Sequence, residues 1–580
     1  MKKIIPFSSD LKSESIAVGD VIELRDFSSY LPEKVTPDSI PWETLSYRLL
    51  DSTIGRMLFV NAHMPFTSDT PYDEIDFSTK GMPDVIEIPV PFSGKYRISL
   101  GFPVLDDVPC GVDISLDDDG FIVIEPEYGG RYGRMIGLEN GREYFVLWQN
   151  AILSDSVIRI RIPWGTFAAH TLDIKACLSC LRFERLEEDE GLLQVQGDSD
   201  KTFIMVEDGF SPYALYGIPG EPFDLRLNRA YKGSDVKVYM SQIMGPTLWK
   251  SYINDYMGEL LTSENYNRNR ICDVRLAKYV KDSIEKGYDV FRVQTEACHS
   301  MGAEMHLSIR ANLYFALSEC ISYANGRFWH EHPEYRLSDS AQLDYNIPEV
   351  REFYLDLFKD ALEKFDLDGI NLDLTRWPRC LDSRYHSKEL LIDFCRELRA
   401  LADEYGKKRN HHINVSLLMV EYYHSHCTLE EQAIDFEGLC ASGTLDFICL
   451  ETNEMEKYAP VAHRYGVKLH GIVDMESPYF NENLSDPLWR LPDGSITDDP
   501  RAGEEFQKKR FVDTKPAPFE QVRLMDTYYR NGADGIAKIN EYSGALYFRD
   551  CGHSKDVRCH AENGEVFGQS VGDYIFITER

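Results

Sequence analysis

The chain has 580 residues, of which 43% are hydrophobic and 27% are charged, and its formal net charge is −34. This composition is typical of a soluble globular protein and excludes a disordered or collagen-like chain, while the length favours two domains. Because phosphate contacts need clustered Lys and Arg, and no such cluster occurs, we expect no nucleic-acid partner.

The amino terminus carries Lys2 and Lys3, but only a short apolar run follows them, which is not the pattern of a secretory signal. No apolar stretch approaches the roughly 20 residues that a membrane helix needs, so no membrane contact is expected. The 13 cysteines are an odd number scattered over a long chain, as in reduced proteins. We therefore expect a cytoplasmic protein, leave a processed secreted form open, and make no prediction of the oligomeric state.

Short alternating runs broken by Gly, Pro and Asp extend from about residue 82 to residue 186. Tyr96, Ile98 and Leu100 alternate with Arg97 and Ser99, which is the period of a half-buried strand. Several such strands predict an antiparallel β-sandwich. The acidic run 187–190 is the expected boundary. We therefore predict an amino-terminal sandwich domain over 1–190, which binds carbohydrate or supports its neighbour, and a second domain over 191–580.

Beyond about residue 200 the pattern changes to strand, loop and helix, repeated. The predicted strands span residues 203–206, 236–240, 304–309, 369–374, 413–418, 446–450, 467–473 and 535–539. Eight strands separated by helical patterns predict a (β/α)₈ TIM barrel with long insertions, in which catalytic groups sit at the carboxyl ends of the strands. The predicted fold class is therefore α/β, with the barrel preceded by the sandwich.

The helix before the fourth strand is the clearest in the sequence. Apolar residues from Val350 to Phe365 recur at the i, i+3, i+4 spacing of one buried face. Asn346 and Glu349 have the spacing of a capping pair, and Pro348 falls in the first turn.

The fourth strand places polar side chains on one face. Side chains alternate along a strand, so Asn371, Asp373 and Thr375 point one way, while Ile370 and Leu372 point the other way. The segment is too rich in carboxylates for an ordinary core strand.

Carboxylates and aromatic residues also follow the other predicted strands. Acids that converge from several strands beside Trp and Tyr suit a sugar, whose ring stacks on aromatic faces while its hydroxyls pair with carboxylates and amides. The candidate catalytic residues are Asp373 and Glu451, and the candidate substrate-binding residues are Arg310, Asn312, Asn371, Trp377, Glu421, Tyr422, Asn453, Asp474, Asn540 and Glu541.

The runs 328–335, 343–351 and 365–373 are similar, in content and in order, to the bacterial glycosyl-hydrolase-like barrels described as family-10-like. The segment 445–450 falls where such proteins have their sixth strand. The resemblance implies a TIM barrel and a glycosidase with a carbohydrate substrate. This chain departs from the pattern at strand four, where it has Asn371 and Asp373 instead of two adjacent acids, so the family's second acid cannot be transferred.

The predicted activity is glycoside hydrolysis by a carboxylate pair. We expect a retaining mechanism with Asp373 as nucleophile and Glu451 as acid/base, and Glu421 or Asp474 as alternatives for the second acid. Inversion stays open, because the carboxylate separation decides, at about 5–5.5 Å for retention and about 6.5–9.5 Å for inversion.

Two alternatives belong to other classes. The first is a non-catalytic carbohydrate-binding protein. The second is a metal-dependent hydrolase on the same fold, in which His306, His424 or His470 would meet an acid. The leading prediction needs no metal and no cofactor, since the pair Cys177 and Cys180 lacks a second pair and no nucleotide motif occurs.

Overall fold

The structure is a computed structural model. It describes residues 3–31, 46–52, 55–63, 85–103, 112–124, 141–161, 173–189, 199–209, 234–243, 285–287, 290–311, 314, 325–375, 380–421, 428–474, 489–490, 496–497, 517–539, 551–563 and 569–574. Within these ranges, none of the helices combines the length and the apolar character that a membrane span requires.

Twelve strands make up the amino-terminal part that is described. They are β1 (Ile4–Pro6), β2 (Val21–Leu24), β3 (Ser46–Ser52), β4 (Gly55–His63), β5 (Ile86–Pro89), β6 (Gly94–Pro103), β7 (Val112–Leu116), β8 (Ile122–Ile124), β9 (Gly141–Leu153), β10 (Val157–Arg161), β11 (Asp173–Leu178) and β12 (Cys180–Arg185). Strands β1, β2, β12, β6 and β9 follow one another in one sheet, β5, β10, β7 and β8 form a second sheet, and β11, β4 and β3 form a third.

The first two sheets bury a common core. Tyr96, Ile98 and Leu100 of β6 are fully buried and belong to the same apolar cluster as Ile158 and Ile160 of β10. The alternation seen in the sequence is therefore the alternation of a strand with one face on this core. The prediction of an amino-terminal sandwich is confirmed.

Eight parallel strands close into a barrel. They are β13 (Thr202–Glu207), β14 (Val236–Ile243), β15 (Glu304–Arg310), β16 (Gly369–Asp373), β17 (Asn414–Val420), β18 (Phe447–Glu451), β19 (Lys468–Asp474) and, after the short hairpin of β20 (Trp489–Arg490) and β21 (Ile496–Thr497), β22 (Gly535–Ile539). Every predicted barrel strand is present, with ends displaced by at most three residues. The predicted TIM barrel is confirmed.

Helices lie between most of the barrel strands. Those described are α1 (Val290–Ser300), α2 (Gly326–Glu331), α3 (Pro348–Lys364), α4 (Glu389–Arg409), α5 (Phe436–Ala441), α6 (Met455–Arg464), α7 (Ala517–Arg530) and α8 (Ser554–Asn563), with short 3₁₀ turns at Ser13–Ser15, Ser28–Tyr30 and Pro333–Tyr335. Helix α3 buries the predicted apolar face, and Pro348 stands in its first turn.

The predicted capping pair of α3 is wrong. Ile347 is the residue that caps the helix, and no side chain makes a cap hydrogen bond there. The Asn346 side chain instead donates to the backbone oxygen of Tyr385, at 3.0 Å. The Asn346 amide, which the local sequence predicts to cap α3, therefore makes a tertiary contact to the segment after β16 instead.

Inside the barrel, two glycines make room for two buried histidine rings. A Cβ on Gly369 would lie 2.4 Å from His306 Nδ1, and a Cβ on Gly535 would lie 2.6 Å from His470 Nδ1. The ring of Phe447 packs against both histidines, and its centroid lies 5.8 Å from that of His306 and 5.3 Å from that of His470. The amino-terminal half of the barrel is thus filled by side chains.

A last strand, β23 (Gln569–Tyr574), returns to the amino-terminal part of the molecule. It pairs antiparallel with β9 and is the sixth strand of the first sheet. By its hydrogen bonds the carboxyl-terminal strand therefore belongs with the sandwich, although the sequence prediction placed it in the second domain. Of the acidic run 187–190 expected at the boundary, residues 187–189 are described and exposed, and residues 190–198 lie outside the described ranges.

Candidate active site

A buried carboxylate with four hydrogen bonds lies inside the barrel at its carboxyl end. Asp373 is the last residue of β16, and its exposed fraction is 0%. Its Oδ2 accepts from Arg310 Nε at 2.8 Å and from Gln242 Nε2 at 2.5 Å. Its Oδ1 accepts from the backbone N–H and from the hydroxyl of Thr375, at 2.7 and 2.6 Å. The face predicted from alternation is therefore the lumen face, and both carboxylate oxygens are saturated with donors.

Arg310 and Gln242 also bond to each other. Arg310 Nη2 donates to Gln242 Oε1 at 2.6 Å, so the carboxylate, the guanidinium and the amide form a closed ring across β14, β15 and β16. The Arg310 side chain is 7% exposed, and no described residue accepts a bond from its Nη1. A buried ion pair with this geometry is held rigidly.

Asn371 lies one layer below Asp373. Ser308 Oγ donates to Asn371 Oδ1 at 2.7 Å, and Asn371 Nδ2 donates to Ser416 Oγ at 2.8 Å. These bonds tie three neighbouring strands together in the barrel interior beneath the mouth. That Asn371 contacts a substrate stays a prediction.

Glu451 ends β18 on the lumen side. Phe447 and Cys449 of the same strand pack in the barrel interior, and Glu451 continues this alternation with an exposed fraction of 7%. In the pairing register, Asp373 lies opposite Leu418, whereas Glu451 lies opposite Val420. Glu451 is thus separated from Asp373 by one intervening strand and stands two residues nearer to the barrel mouth.

Glu421 bonds to residues of the barrel wall. Its carboxylate accepts from Tyr458 OH, at 2.5 Å, and from Thr452 Oγ1, at 2.9 Å. Tyr458 belongs to α6 and packs in the cluster between strands and helices. Burial, together with the bond to Glu421, raises the pKa of the Tyr458 hydroxyl. The described partners of Glu421 are therefore on the helix side of the strands, where Glu421 links β17 to α6.

The remaining candidates are divided between the mouth and the undescribed ranges. Asp474 is the last residue of β19, and its backbone is in register with Ile539. Asn453 is exposed and follows β18 closely. Asn312, Trp377, Tyr422, Asn540 and Glu541 lie outside the described residues.

Sequence reasoning did not assign two polar residues that the structure makes prominent. Gln242 follows the predicted end of the second strand, but only the register of β14 and β15 brings it to Asp373. Glu207 ends β13 fully buried, and burial, reinforced by the neighbouring Asp208 carboxylate, raises the pKa of Glu207 to about 8. The acidic pair 207–208 after an apolar run was the available signal.

Two of the histidines proposed for the metal alternative pack against one aromatic ring. His306 Nε2 lies 2.9 Å from Glu304 Oε2, and the ring of Phe447 contacts both His306 and His470. Among the residues that the structure describes, no three His, Cys, Asp or Glu side chains are grouped closely enough to hold a metal ion. His424 is outside these residues.

The chain was compared with known proteins. No family model matches it, and no curated protein matches it. Similar solved structures include a glycoside hydrolase family 18 N-acetylglucosaminidase from Paenibacillus barengoltzii, with 10% identity, coverage of 61% of this chain and 99% of that chain, and a TM-score of 0.33. A second is catalytic domain 2 of a group II chitinase from Ostrinia furnacalis, with 11% identity, coverage of 63% of this chain and 98% of that chain, and a TM-score of 0.32. A third is a family 36 α-galactosidase from Geobacillus stearothermophilus, with 9% identity, coverage of 88% of this chain and 65% of that chain, and a TM-score of 0.28. TM-scores this low do not transfer an activity to this chain.

Proposed function

We propose that the protein is a glycoside hydrolase whose reaction centre is the lumen face formed by Asp373 and Glu451. The observation that carries the proposal is the buried ring of Asp373, Arg310 and Gln242 at the carboxyl ends of the parallel strands. In a (β/α)₈ barrel this end is where catalytic groups are found.

The two carboxylates have surroundings that suit different roles. The Arg310 guanidinium and three further donors hold the Asp373 carboxylate in a fixed position on the lumen face, where it can face an oxocarbenium-like transition state. Glu451 stands nearer to the mouth and serves as proton donor to the leaving group. Attack by Asp373 through Oδ2 requires Gln242 or Arg310 to withdraw first, because that oxygen already accepts two hydrogen bonds.

The Nη1 edge of Arg310 suits a sugar hydroxyl. Nη1 belongs to a side chain that Asp373 and Gln242 fix in place, so a hydroxyl that accepts from it binds without further ordering of the guanidinium. Since Asp373 neutralises the guanidinium, a neutral acceptor is favoured over a second carboxylate at this position.

The saturation of Asp373 also supports the second candidate, a non-catalytic carbohydrate-binding protein. A carboxylate whose two oxygens accept four bonds serves well to position Arg310 and poorly as a nucleophile. In this candidate the ligand is still a carbohydrate, and it binds at the same lumen face.

One experiment separates the two candidates. The purified protein is incubated with a panel of aryl glycosides and oligosaccharides, and the same oligosaccharides are titrated by calorimetry. Turnover that disappears in Asp373→Asn supports the hydrolase, and ¹H NMR of the first product anomer then reports retention or inversion. Binding without turnover supports the second candidate, and neither binding nor turnover across the panel contradicts both.

A further inference from the structure

Glu207 faces a polar cluster on the helix side of the barrel. It ends β13, its side chain is fully buried, and its Oε2 accepts from Ser241 Oγ at 3.0 Å and from Tyr239 OH at 3.3 Å. Its Oε1 accepts from the backbone N–H of Gly209. Neither Ser241 nor Glu207 faces the lumen.

Ser241 stands between Glu207 and helix α1. Its Oγ lies 3.0 Å from Glu207 Oε2 and 3.2 Å from Gln294 Oε1. A hydroxyl has a single proton to donate. When Glu207 is neutral, its own proton can go to Ser241 Oγ, and the hydroxyl then donates to Gln294. When Glu207 is ionised, the hydroxyl must turn to the carboxylate, and the bond to Gln294 is lost.

This exchange falls within an accessible pH range. Burial, with a contribution from Asp208, raises the pKa of Glu207 to about 8. Among the described residues, the other titratable groups near Glu207 are Tyr239 on β14 and Cys298 on α1, and burial raises the pKa of the Cys298 thiol. On the neighbouring strand β22, the ammonium of Lys538 donates to Gln521.

The cluster is coupled to the lumen through one peptide bond. Gln242 follows Ser241 directly, and because side chains alternate, it points to the other face of β14. There it donates to Asp373 Oδ2 and accepts from Arg310 Nη2. If Ser241 moves the end of β14, it therefore also moves Gln242, which donates to Asp373.

We propose that Glu207 is a positioning residue: in its neutral form it holds the end of β14 so that Gln242 bonds to Asp373, and loss of its proton weakens this bond. The effect of Glu207 on the bond between Gln242 and Asp373 does not depend on the proposed function. Its consequence for turnover rests on the proposed function: because attack by Asp373 requires Gln242 or Arg310 to withdraw, loss of the Glu207 proton should make turnover faster.

The structural part is tested on the full chain by NMR with selectively ¹⁵N-labelled glutamine. The Gln242 side-chain signal is identified by its absence in Gln242→Asn and followed from pH 6 to pH 10. We expect it to shift with a midpoint near the pKa of Glu207 in the wild type, and to stay in place in Glu207→Gln, whose side chain is neutral throughout. The exposed Glu352→Gln variant is the matched control and should titrate as the wild type does.

A Gln242 signal that does not move in the wild type, or that moves equally in Glu207→Gln, overturns the proposal. Ser241→Ala keeps the Glu207 carboxyl and removes the hydroxyl that bonds to both Glu207 and Gln294. This variant therefore tests the proposal if Glu207→Gln does not fold. Persistent pH dependence of Gln242 in Ser241→Ala rejects the proposed coupling.

The activity arm uses whichever aryl glycoside the wild type hydrolyses. We expect kcat to rise with pH through the midpoint, because ionised Glu207 loosens the bond that Gln242 donates to Asp373, and we expect this rise to be absent in Glu207→Gln. A shifting Gln242 signal with no hydrolysis of any glycoside refutes the proposed function and leaves the coupling intact. A kcat that does not rise in the wild type, or that rises equally in Glu207→Gln, contradicts the role of Glu207 in turnover.

Discussion

Arg310 Nε lies 2.8 Å from Asp373 Oδ2, and the backbones of the same two residues are register partners on β15 and β16. The ion pair between the side chains and the pairing of the two strands therefore both hold Arg310 next to Asp373. Because the Asp373 carboxylate is inaccessible and the Arg310 side chain nearly so, removing either charge leaves the other buried without its partner.

Asp373→Asn should lower kcat roughly thousand-fold or more, because the charge facing the reacting centre is lost. The same change should reduce the free energy of unfolding by about 3–5 kcal/mol, since the Arg310 charge remains buried. Chemical denaturation and steady-state kinetics measure the two effects. The double variant Asp373→Asn/Arg310→Gln should regain part of the stability and none of the activity, and recovery of turnover in it would exclude Asp373 from catalysis.

Glu451→Gln should impair natural glycosides much more than activated aryl glycosides. A good leaving group needs little protonation, so the loss of a proton donor matters less for it. Steady-state kinetics on one substrate of each kind give the comparison, with exposed Glu352→Gln as control. Equal losses on both substrates would assign the proton donor to another residue.

His470 should make the protein sensitive to acid. Burial lowers the pKa of His470 to about 4, so the unfolded chain binds a proton there between about pH 6.5 and pH 4 and the folded chain does not. The stability that this difference contributes is present above pH 6.5 and is lost as the pH falls, by about 3 kcal/mol. His470→Met should flatten this part of the pH profile of the unfolding free energy, and the half-exposed His412→Gln should not. Parallel slopes for His470→Met and the wild type would disprove the assignment.

Gly369→Ala should destabilise the barrel by about 1–3 kcal/mol, because the added Cβ would lie 2.4 Å from His306 Nδ1. His306→Ala removes that ring and creates space. The two substitutions together should therefore cost less than the sum of their separate costs, a coupling that a double-mutant cycle of unfolding free energies measures. Strict additivity would show that the ring does not restrict this position.

Periodicity predicted the barrel well because its strands are apolar runs with regular polar gaps. The lumen face of β16 followed from alternation alone, since Asn371, Asp373 and Thr375 lie within one short strand. Alternation is a local property, and it holds wherever the strand persists.

The parts that were wrong, or that only the structure shows, depend on residues distant in sequence. That Glu421 contacts a substrate stays a prediction, and its described bonds are to Thr452 and to Tyr458 of α6. Asn346 was expected to cap α3, but a backbone oxygen of a later loop competes for it. Gln242 reaches Asp373 only through the pairing of strands far apart in sequence.

The pairing of β23 with β9 affects the order in which the molecule can fold. During synthesis the edge of β9 remains without this neighbour until the whole barrel has left the ribosome, because β23 is the last described strand of the chain. An unpaired strand edge is a site for association with other chains. A nascent protein is therefore exposed to aggregation at β9 for most of its synthesis, and contacts between residues so distant in sequence favour slow completion of the first sheet.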